Sequence, residues 1–343
     1  MQIVNPITIV GGGLAGLTLG IALRQHDVPV TIIEAGRYPR HRVCGEFING
    51  AGLDVLDELG LIDILRGVSV REARDAAFFV SALRIAQHPL PRAALCVSRY
   101  ILDQTLGRHF QQMGGELREG ERGRMASSPG IVWATGRRAH PTECGWRWFG
   151  LKVHARGVSL AADLEMHLGR NAYVGLCRLA QDEVNVCGLF RRKAREAAHG
   201  ESLNWLRGEP GSRLFSRLET AEIDPESLCA VAGLSLRPEP IDEGECRIGD
   251  ALTMIPPITG NGMSMAFESA RIAVDPLMAY ARGQRSWEAV TSEIAHSLRQ
   301  TFARRLKWAS HLHRLMFSPL GPSTIRLFFR SVPLWRASFA FTR

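Results

Sequence analysis

Residues 7–36, ITIVGGGLAGLTLGIALRQHDVPVTIIEAG, decide how this chain begins to fold. The β-branched run Ile7-Thr8-Ile9-Val10 reads as a buried strand, and a second run, Val30-Thr31-Ile32-Ile33, ends on Glu34 and Ala35. Between them Gly11, Gly13 and Gly16 fill a G-x-G-x-x-G pattern, and Leu14 and Ala15 open an apolar segment of helical length. In a strand–turn–helix of this kind the first glycine permits the tight turn. The second lets a pyrophosphate approach the backbone, and the third lets the helix lie close on the sheet. Free amides at the helix start then face the phosphates, where the macrodipole favours negative charge. Glu34 lies 18 residues beyond Gly16, near the spacing of a carboxylate that accepts hydrogen bonds from an adenosine ribose. A lone G-x-G-x-x-G is a weak signal. Strand, glycines, helix and acid in this order specify dinucleotide binding.

Composition narrows the setting. The chain has 343 residues, enough for two domains or one elaborated one, with 45% hydrophobic and 22% charged residues, as in an ordinary globular protein. Its seven cysteines are scattered, with no C-x-x-C pair, which argues against a disulfide framework or a zinc site and for a reducing, cytoplasmic compartment. The first strand begins so near residue 1 that no room is left for a signal peptide. Residues 7–23 hold five glycines, which suits a strand, turn and helix better than a membrane span. The net charge of +8 is local: residues 299–343 carry nine Lys/Arg and no Asp or Glu, so the other 298 residues sum to −1. A nucleic-acid-binding surface is not expected from a neutral body.

Further along, residues 50–60 read as a short helix and residues 70–97 as short strands. Ser98 is placed to cap a helix running to about Gln112, and Ile131-Val132-Trp133 is a short strand that turns at Ala134-Thr135-Gly136. The segments Trp148–Ala155, Asp163–His167, Ala172–Leu176 and Val184–Phe190 are half-alternating and separated by turns, as in an antiparallel sheet. Residues 191–222 read as helical and surface-exposed, and strands are expected again at Ala230–Leu236 and Cys246–Ile248. Next, Gly249-Asp250-Ala251 places an acid just past a strand. Pro256-Pro257 then forces an extended path, and Gly260-Asn261-Gly262-Met263 opens a helix. Asp250 is positioned to accept hydrogen bonds from the ribityl hydroxyls of a flavin, and the amides at that helix start would face the flavin ring.

Together, the opening motif, Arg42-Val43-Cys44-Gly45-Glu46, Ser98-Arg99 with Leu102-Asp103, Ala134-Thr135-Gly136 and the Gly-Asp segment resemble the p-hydroxybenzoate hydroxylase superfamily of flavoproteins. Within it they look like the geranylgeranyl-reductase-like branch. The resemblance covers most of the first 280 residues and implies an α/β fold: a Rossmann-like three-layer FAD-binding domain with an inserted antiparallel-sheet substrate domain. The FAD-binding parts would be residues 1–70, 98–145 and 236–285, the substrate part 71–97 and 146–235, and basic helices would fill 286–343. By resemblance, Gly11, Gly13, Leu14, Ala15, Gly16, Glu34 and Ala35 hold the ADP half of FAD. Arg42 and Arg99 lie near phosphates and ribose, Cys44 and Gly45 line the isoalloxazine, and Gly249, Asp250, Gly260, Asn261, Gly262 and Met263 complete the site.

The implied activity is an FAD-dependent monooxygenase, reduced by NAD(P)H and acting on a lipophilic or aromatic small molecule. Reduction of an isoprenoid-type carbon–carbon double bond is the alternative, and electron transfer to a quinone a third. Iron–sulfur ligation, which an electron-transfer role would usually need, has no cysteine cluster to supply it. Departures from the family are specific. Thr135-Gly136 stands where aromatic hydroxylases carry Asp-Gly. The segment Tyr173-Val174-Gly175-Leu176-Cys177-Arg178 keeps the Tyr but lacks the Trp and Pro of isoprenoid reductases. Gly145-Trp146-Arg147-Trp148 resembles part of the flavin halogenase signature without its Ile-Pro, and it falls upstream of that signature's usual place. Cys44 and Tyr173 are the candidate catalytic side chains, each set against simple packing, while His154 and His167 match no ligand spacing. The basic tail, with Phe302, Leu306, Ala309 and Met316 at helical spacing, is expected to pack on the FAD domain. A weak contact with an anionic membrane surface is its other reading.

Overall fold

The computed structural model describes residues 5–123, 128–137, 142, 145–193, 202–236, 244–318 and 321–341. In chain order its elements begin with β1 (Ile7–Val10), α1 (Leu14–Arg24), β2 (Val30–Glu34), β3 (Phe47–Ile48), α2 (Ala51–Glu58) and α3 (Leu61–Arg66). Then come β4 (Arg71–Val80), β5 (Leu83–Cys96), α4 (Arg99–Gln112), β6 (Glu116–Glu119), β7 (Ile131–Trp133) and β8 (Trp146–Arg156). β9 (Leu164–Leu168), β10 (Ala172–Arg178), β11 (Val184–Lys193), α5 (Ser202–Arg207), α6 (Arg213–Leu218) and β12 (Glu222–Ala232) follow. The chain closes with β13 (Cys246–Arg247), α7 (Gly262–Ala281), α8 (Trp287–Met316), α9 (Gly321–Arg330) and α10 (Val332–Phe341).

Five strands form a parallel sheet in the order β13-β7-β1-β2-β6. The fold is therefore α/β, with a Rossmann-like FAD-binding part beside a separate, mainly antiparallel sheet. Ile7, Ile9, Val30 and Ile32 are buried in one core with Leu17, Ile21 and Leu23 of α1, Leu102, Leu106 and Phe110 of α4, and Phe267 and Leu277 of α7. Burial on that face explains the β-branched runs, since a strand covered by helices gains from continuous apolar side chains. Ser98 caps α4 as its spacing predicts, its hydroxyl accepting from the Tyr100 amide.

The second sheet has the order β12-β8-β11-β10-β9-β4-β5-β3. All its pairings are antiparallel except β4 with β9. The expectation of short strands over 70–97 is corrected here. β4 and β5 are long strands of 10 and 14 residues forming a hairpin. Pro89 and Pro91 break the alternation in sequence, and register shifts in the hairpin absorb the irregularity. Residues 191–222 also differ from expectation: β11 runs to Lys193, and among the described residues the short helices α5 and α6 follow. Leu206, Leu214 and Leu218 of those helices are buried against Val153, Val174 and Val186, so the segment covers the back of the sheet. Residues 194–201 of that expected helix lie outside the described residues. β12 begins at Glu222 rather than Ala230, with a bulge between Asp224 and Cys229 where Pro225 interrupts the ladder.

The tail divides. α8 buries Ile294, Leu298, Phe302 and Ala309 in the FAD-side core, as expected, and its Arg305 pairs with Glu268 of α7 at 2.5 Å. Beyond it the chain leaves that core: Met316, Ile325, Phe329 and Trp335 join the cluster on the front of the second sheet. No helix among the described residues is long and apolar enough to cross a membrane.

Candidate active site

The glycine motif forms a backbone cradle whose three glycines have different physical reasons. Gly11 sits at φ +112° against the carbonyl of Ala134, and a Cβ at Gly16 would collide with the Gly11 carbonyl. Both are required by packing. At Gly13 a Cβ would meet no atom of the described residues within 4 Å, so none of them demands glycine there. Gly13 is the N-cap of α1, has no side-chain cap, and leads into a first turn without acids. The first-turn amides of α1 have no acceptor within the helix and follow directly on this open position, a fit to a pyrophosphate. Glu34 ends β2 beside it. Its Oε2 accepts from the Gly12 amide at 2.8 Å and its Oε1 from the Gly36 amide at 2.7 Å. Arg40 reaches the same Oε1 at 2.5 Å. Burial works to raise the Glu34 pKa, but the Gly36 amide and Arg40 more than offset it and hold the carboxyl below its usual range. Arg42 lies 3.8 Å from Glu34 and 3.9 Å from the fully buried Asp103, which Arg99 grips with two bonds of 2.7 Å.

The C-terminal motif meets this cradle across some 235 residues of sequence. Gly249, at φ +59°, packs on α1 so closely that a Cβ would lie 2.8 Å from that of Ala15, and its amide donates to Ser269 Oγ at 2.9 Å. Asp250 follows in a short 3₁₀ turn. Burial raises its pKa, while Arg137 and Arg99 pull the other way. The Gly260 carbonyl accepts from Asn49 Nδ2 at 3.3 Å, and Ser264 Oγ donates to the Asn49 carbonyl at 2.6 Å. Gly262 begins α7, where a Cβ would again meet nothing within 4 Å, and Met263 is buried behind it. Two helix starts with open space before them, brought to one side of the fold, fit the two ends of FAD, which supplies the redox chemistry when bound.

A cavity of ≈ 200 Å³ lies between this side and the front of the second sheet. Strand alternation decides its lining. Front-facing Tyr173, Gly175 and Cys177 of β10, Cys187 and Leu189 of β11, Met166 of β9 and Phe78 of β4 contribute, with Val43, Cys44, Gly45, Phe47 and Gly260 from the FAD side. Cys44 thus sits on the cavity wall, and burial raises its pKa, so it is a thiol rather than a thiolate. Tyr173 lines the same space, 5% exposed, and its hydroxyl has no hydrogen-bond partner among the described residues. The two candidate catalytic residues therefore share one cavity.

Three features of this cavity escaped sequence reasoning. Arg137, just past the Ala134-Thr135-Gly136 turn, lines it without a hydrogen-bond or ion-pair partner among the described residues. Burial lowers its pKa, partly offset by the nearby Asp250. In sequence it is one arginine among 39. Phe328, Phe329 and Trp335 of the tail close the wall, with Phe329 stacked on Phe78 at 4.0 Å and its carbonyl 2.6 Å from His88 Nε2. Their aromatic character was visible, but not that they face this sheet. The third feature is a buried ion cluster behind Cys44. Glu46 and Lys152 are both 0% exposed, 3.5 Å apart, and His154 Nε2 lies 2.7 Å from Glu46. The spacing of His154, which matches no ligand set, did not foresee it. His167 is on the opposite face of its sheet, bonded to Glu165 at 3.0 Å and stacked on Phe79. Among the described residues no group of His, Cys, Asp or Glu could hold a metal, and the six described cysteines are free.

With this geometry in place, comparison with known proteins gives three findings. Residues 5–128 match the family described as FAD binding domain. A 62-residue stretch is 34% identical to a squalene epoxidase of Aspergillus fumigatus, covering 18% of this chain and 13% of that protein. The chain thus spans a small part of the length of the relatives it matches by sequence. Among solved structures, a flavin-dependent brominase superposes with a TM-score of 0.77 at 17% identity, covering 98% of this chain and 92% of its own. A p-nitrophenol 4-monooxygenase from Pseudomonas putida gives 0.75 at 15% identity, covering 99% and 98%. Likeness at this identity speaks for the fold.

Proposed function

We propose that this protein is an FAD-dependent monooxygenase that hydroxylates or epoxidises a lipophilic or aromatic small molecule, with NAD(P)H as electron donor. One observation carries the reading: the apolar cavity runs from Cys44, Gly45 and Gly260, where the FAD ring is expected, to a tyrosine hydroxyl with no partner among the described residues. A pocket with few polar groups suits an apolar substrate oriented by one or two hydrogen bonds. Tyr173 would bind a substrate oxygen at one end, and Arg137 would stabilise negative charge at the other. Gly11, Gly13, Leu14, Ala15, Gly16, Glu34 and Ala35 would hold the ADP half, Arg42 and Arg99 the phosphates, and Asp250 the ribityl chain. The relatives support this reading, since one is named as an epoxidase and one structural neighbour as a monooxygenase. The test is NAD(P)H oxidation and O2 consumption by the FAD-loaded protein across aromatic and isoprenoid compounds, with product identified. Failure of the wild type to bind FAD, or reduction of substrate without O2 uptake, refutes it.

Double-bond reduction, the activity of the geranylgeranyl-reductase-like branch, is favoured by one observation, the Cys44 thiol on the cavity wall. Such a thiol is an acid able to give a proton to a carbon centre. Cys44→Ala separates the readings: a monooxygenase keeps O2-dependent product, whereas a reductase loses product with FAD occupancy intact. The basic tail adds a proposal on delivery. Leu327 is 70% exposed and Val332 and Leu334 are 46% exposed, on the two helices whose inner aromatics wall the cavity. Arg326, Arg330 and Arg336 accompany them without acids, a composition suited to a weak contact with an anionic membrane surface.

A further inference from the structure

The buried cluster behind Cys44 has a geometry that packing does not explain. Taking a carboxylate and an amine fully out of water costs several kcal/mol per ion in general, and apolar residues of the same volume would often be as stable. Here Glu46 holds that place at φ +59°, a strained backbone for a residue with a side chain. Its Oε1 accepts from the Arg99 amide at 2.9 Å, with Ser98 Oγ at 3.4 Å and Lys152 Nζ at 3.5 Å. Lys152 Nζ donates to His41 Nδ1 at 2.9 Å, and burial beside Lys152 pushes His41 down to about 4, so that ring is neutral.

His154 is the centre of the arrangement. Its Nε2 lies 2.7 Å from Glu46 and its Nδ1 3.0 Å from Glu183 Oε2. A neutral imidazole carries one N–H, and a carboxylate has none to give. Both contacts are hydrogen bonds only if the ring holds two protons or one of the acids holds one, so the three groups share an extra proton. Glu183 lies in the β10–β11 hairpin with its side chain 24% exposed, and Arg156 is 3.9 Å away at the surface. At the inner end, the Glu46 amide donates to Cys44 Sγ at 3.5 Å, while Asn185 Nδ2 bonds the Cys44 carbonyl at 2.9 Å. The cluster therefore runs from solvent to the back of the cavity wall.

We propose that Glu183, His154 and Glu46 form a proton relay between solvent and the inner wall of the cavity, with Lys152 as the positioning residue that holds its inner carboxylate. In each passage an O–H of Glu183 breaks as Nδ1–H forms, and Nε2–H breaks as an O–H of Glu46 forms. No electrons move, and the ring, left with its proton on Nδ1, regains the Nε2–H form by turning or by a passage in the opposite direction. The relay would serve the proton that a reaction at the cavity takes up or releases, so its use in turnover rests on the FAD reading, whereas its existence does not. The groups facing His154 act in both directions. Burial opposes its charge, the carboxylates of Glu183 and Glu46 overcome this and raise its pKa, and Lys152 acts against them. The ring of His41 at 5.0 Å is neutral, and Asp224 stands opposite His154 in the β12–β8 ladder.

Two measurements test this. Nitrogen NMR of ¹⁵N-histidine protein reads the His154 ring directly, with or without FAD. Two protonated nitrogens at pH 7 are expected, with the titration falling by about one pH unit or more in Glu183→Gln, roughly tenfold in proton affinity. A single fixed tautomer that Glu183→Gln leaves unmoved overturns the relay. For its use in turnover, His154→Gln with intact circular dichroism and FAD content should slow NAD(P)H-driven turnover about tenfold or more and alter its pH profile. Free imidazole should restore activity to His154→Gly. An unchanged rate and pH profile in His154→Gln overturns that use. If the wild type takes up no FAD, the FAD reading fails while the NMR result still decides the relay.

Discussion

Gly13→Val separates binding from folding because the structure assigns Gly13 no structural duty. Its backbone, at φ −81° and ψ −172°, is extended and open to any residue, and a Cβ there meets nothing within 4 Å. The cost to the apoprotein is limited to a poorer N-cap, about 0.5–1 kcal/mol. FAD binding should suffer far more, since the isopropyl group would fill the space through which phosphate oxygens reach the first-turn amides of α1. Charge-assisted hydrogen bonds are worth about 1.5–3 kcal/mol each, so losing two costs about 3–6 kcal/mol, a weakening of roughly 150-fold or more. Calorimetric titration with FAD, paired with thermal unfolding of the apoprotein, measures both quantities. Gly16→Val is the contrasting control: its Cβ would strike the Gly11 carbonyl, so it should unfold the protein. Unchanged FAD affinity in Gly13→Val, or collapse of the apoprotein to the level of Gly16→Val, would refute the cradle.

Three further outcomes are expected. Asp250→Ala should weaken FAD by about 1–3 kcal/mol, measured by flavin fluorescence titration, because buried ribityl hydroxyls would lose their acceptor; unaltered affinity would make the Gly-Asp match accidental. Tyr173→Phe removes a hydroxyl that has no partner among the described residues, so unfolding should change by less than about 0.5 kcal/mol while substrate KM rises; a large loss of stability with unchanged KM would assign Tyr173 to packing. Sedimentation with vesicles should show weak binding to anionic lipid at low salt, lost at high salt and absent from neutral lipid, because each basic residue near the surface contributes about 1 kcal/mol. Protein left in the supernatant throughout would make the outer faces of α9 and α10 merely solvated.

Local signals carried the nucleotide end of this molecule. Strand, turn, helix and acid follow one another within residues 7–36, so short-range sterics shape them, and Gly16 against Gly11 and Glu34 on the Gly12 amide are contacts made within that stretch, whereas Gly11 also needs the distant Ala134 carbonyl. Ser98 and Asn261-Gly262 were legible for the same reason, since a helix start is written in the few residues around it. The cavity is different. β4 lies beside β9, 84 residues later, and Phe329 stacks on Phe78 from the far end of the chain. No periodicity in either segment encodes that meeting, because a strand's pattern states which side is apolar and not which element will cover it. The same limit hid the proton cluster. Glu46, Lys152, His154 and Glu183 lie far apart along the chain, and only the fold, which puts Lys152 and His154 on one face of β8 within reach of Glu46 and Glu183, brings them together behind Cys44. Charges acquire their chemistry from burial and from one another, and both are decided by tertiary packing rather than by sequence neighbours.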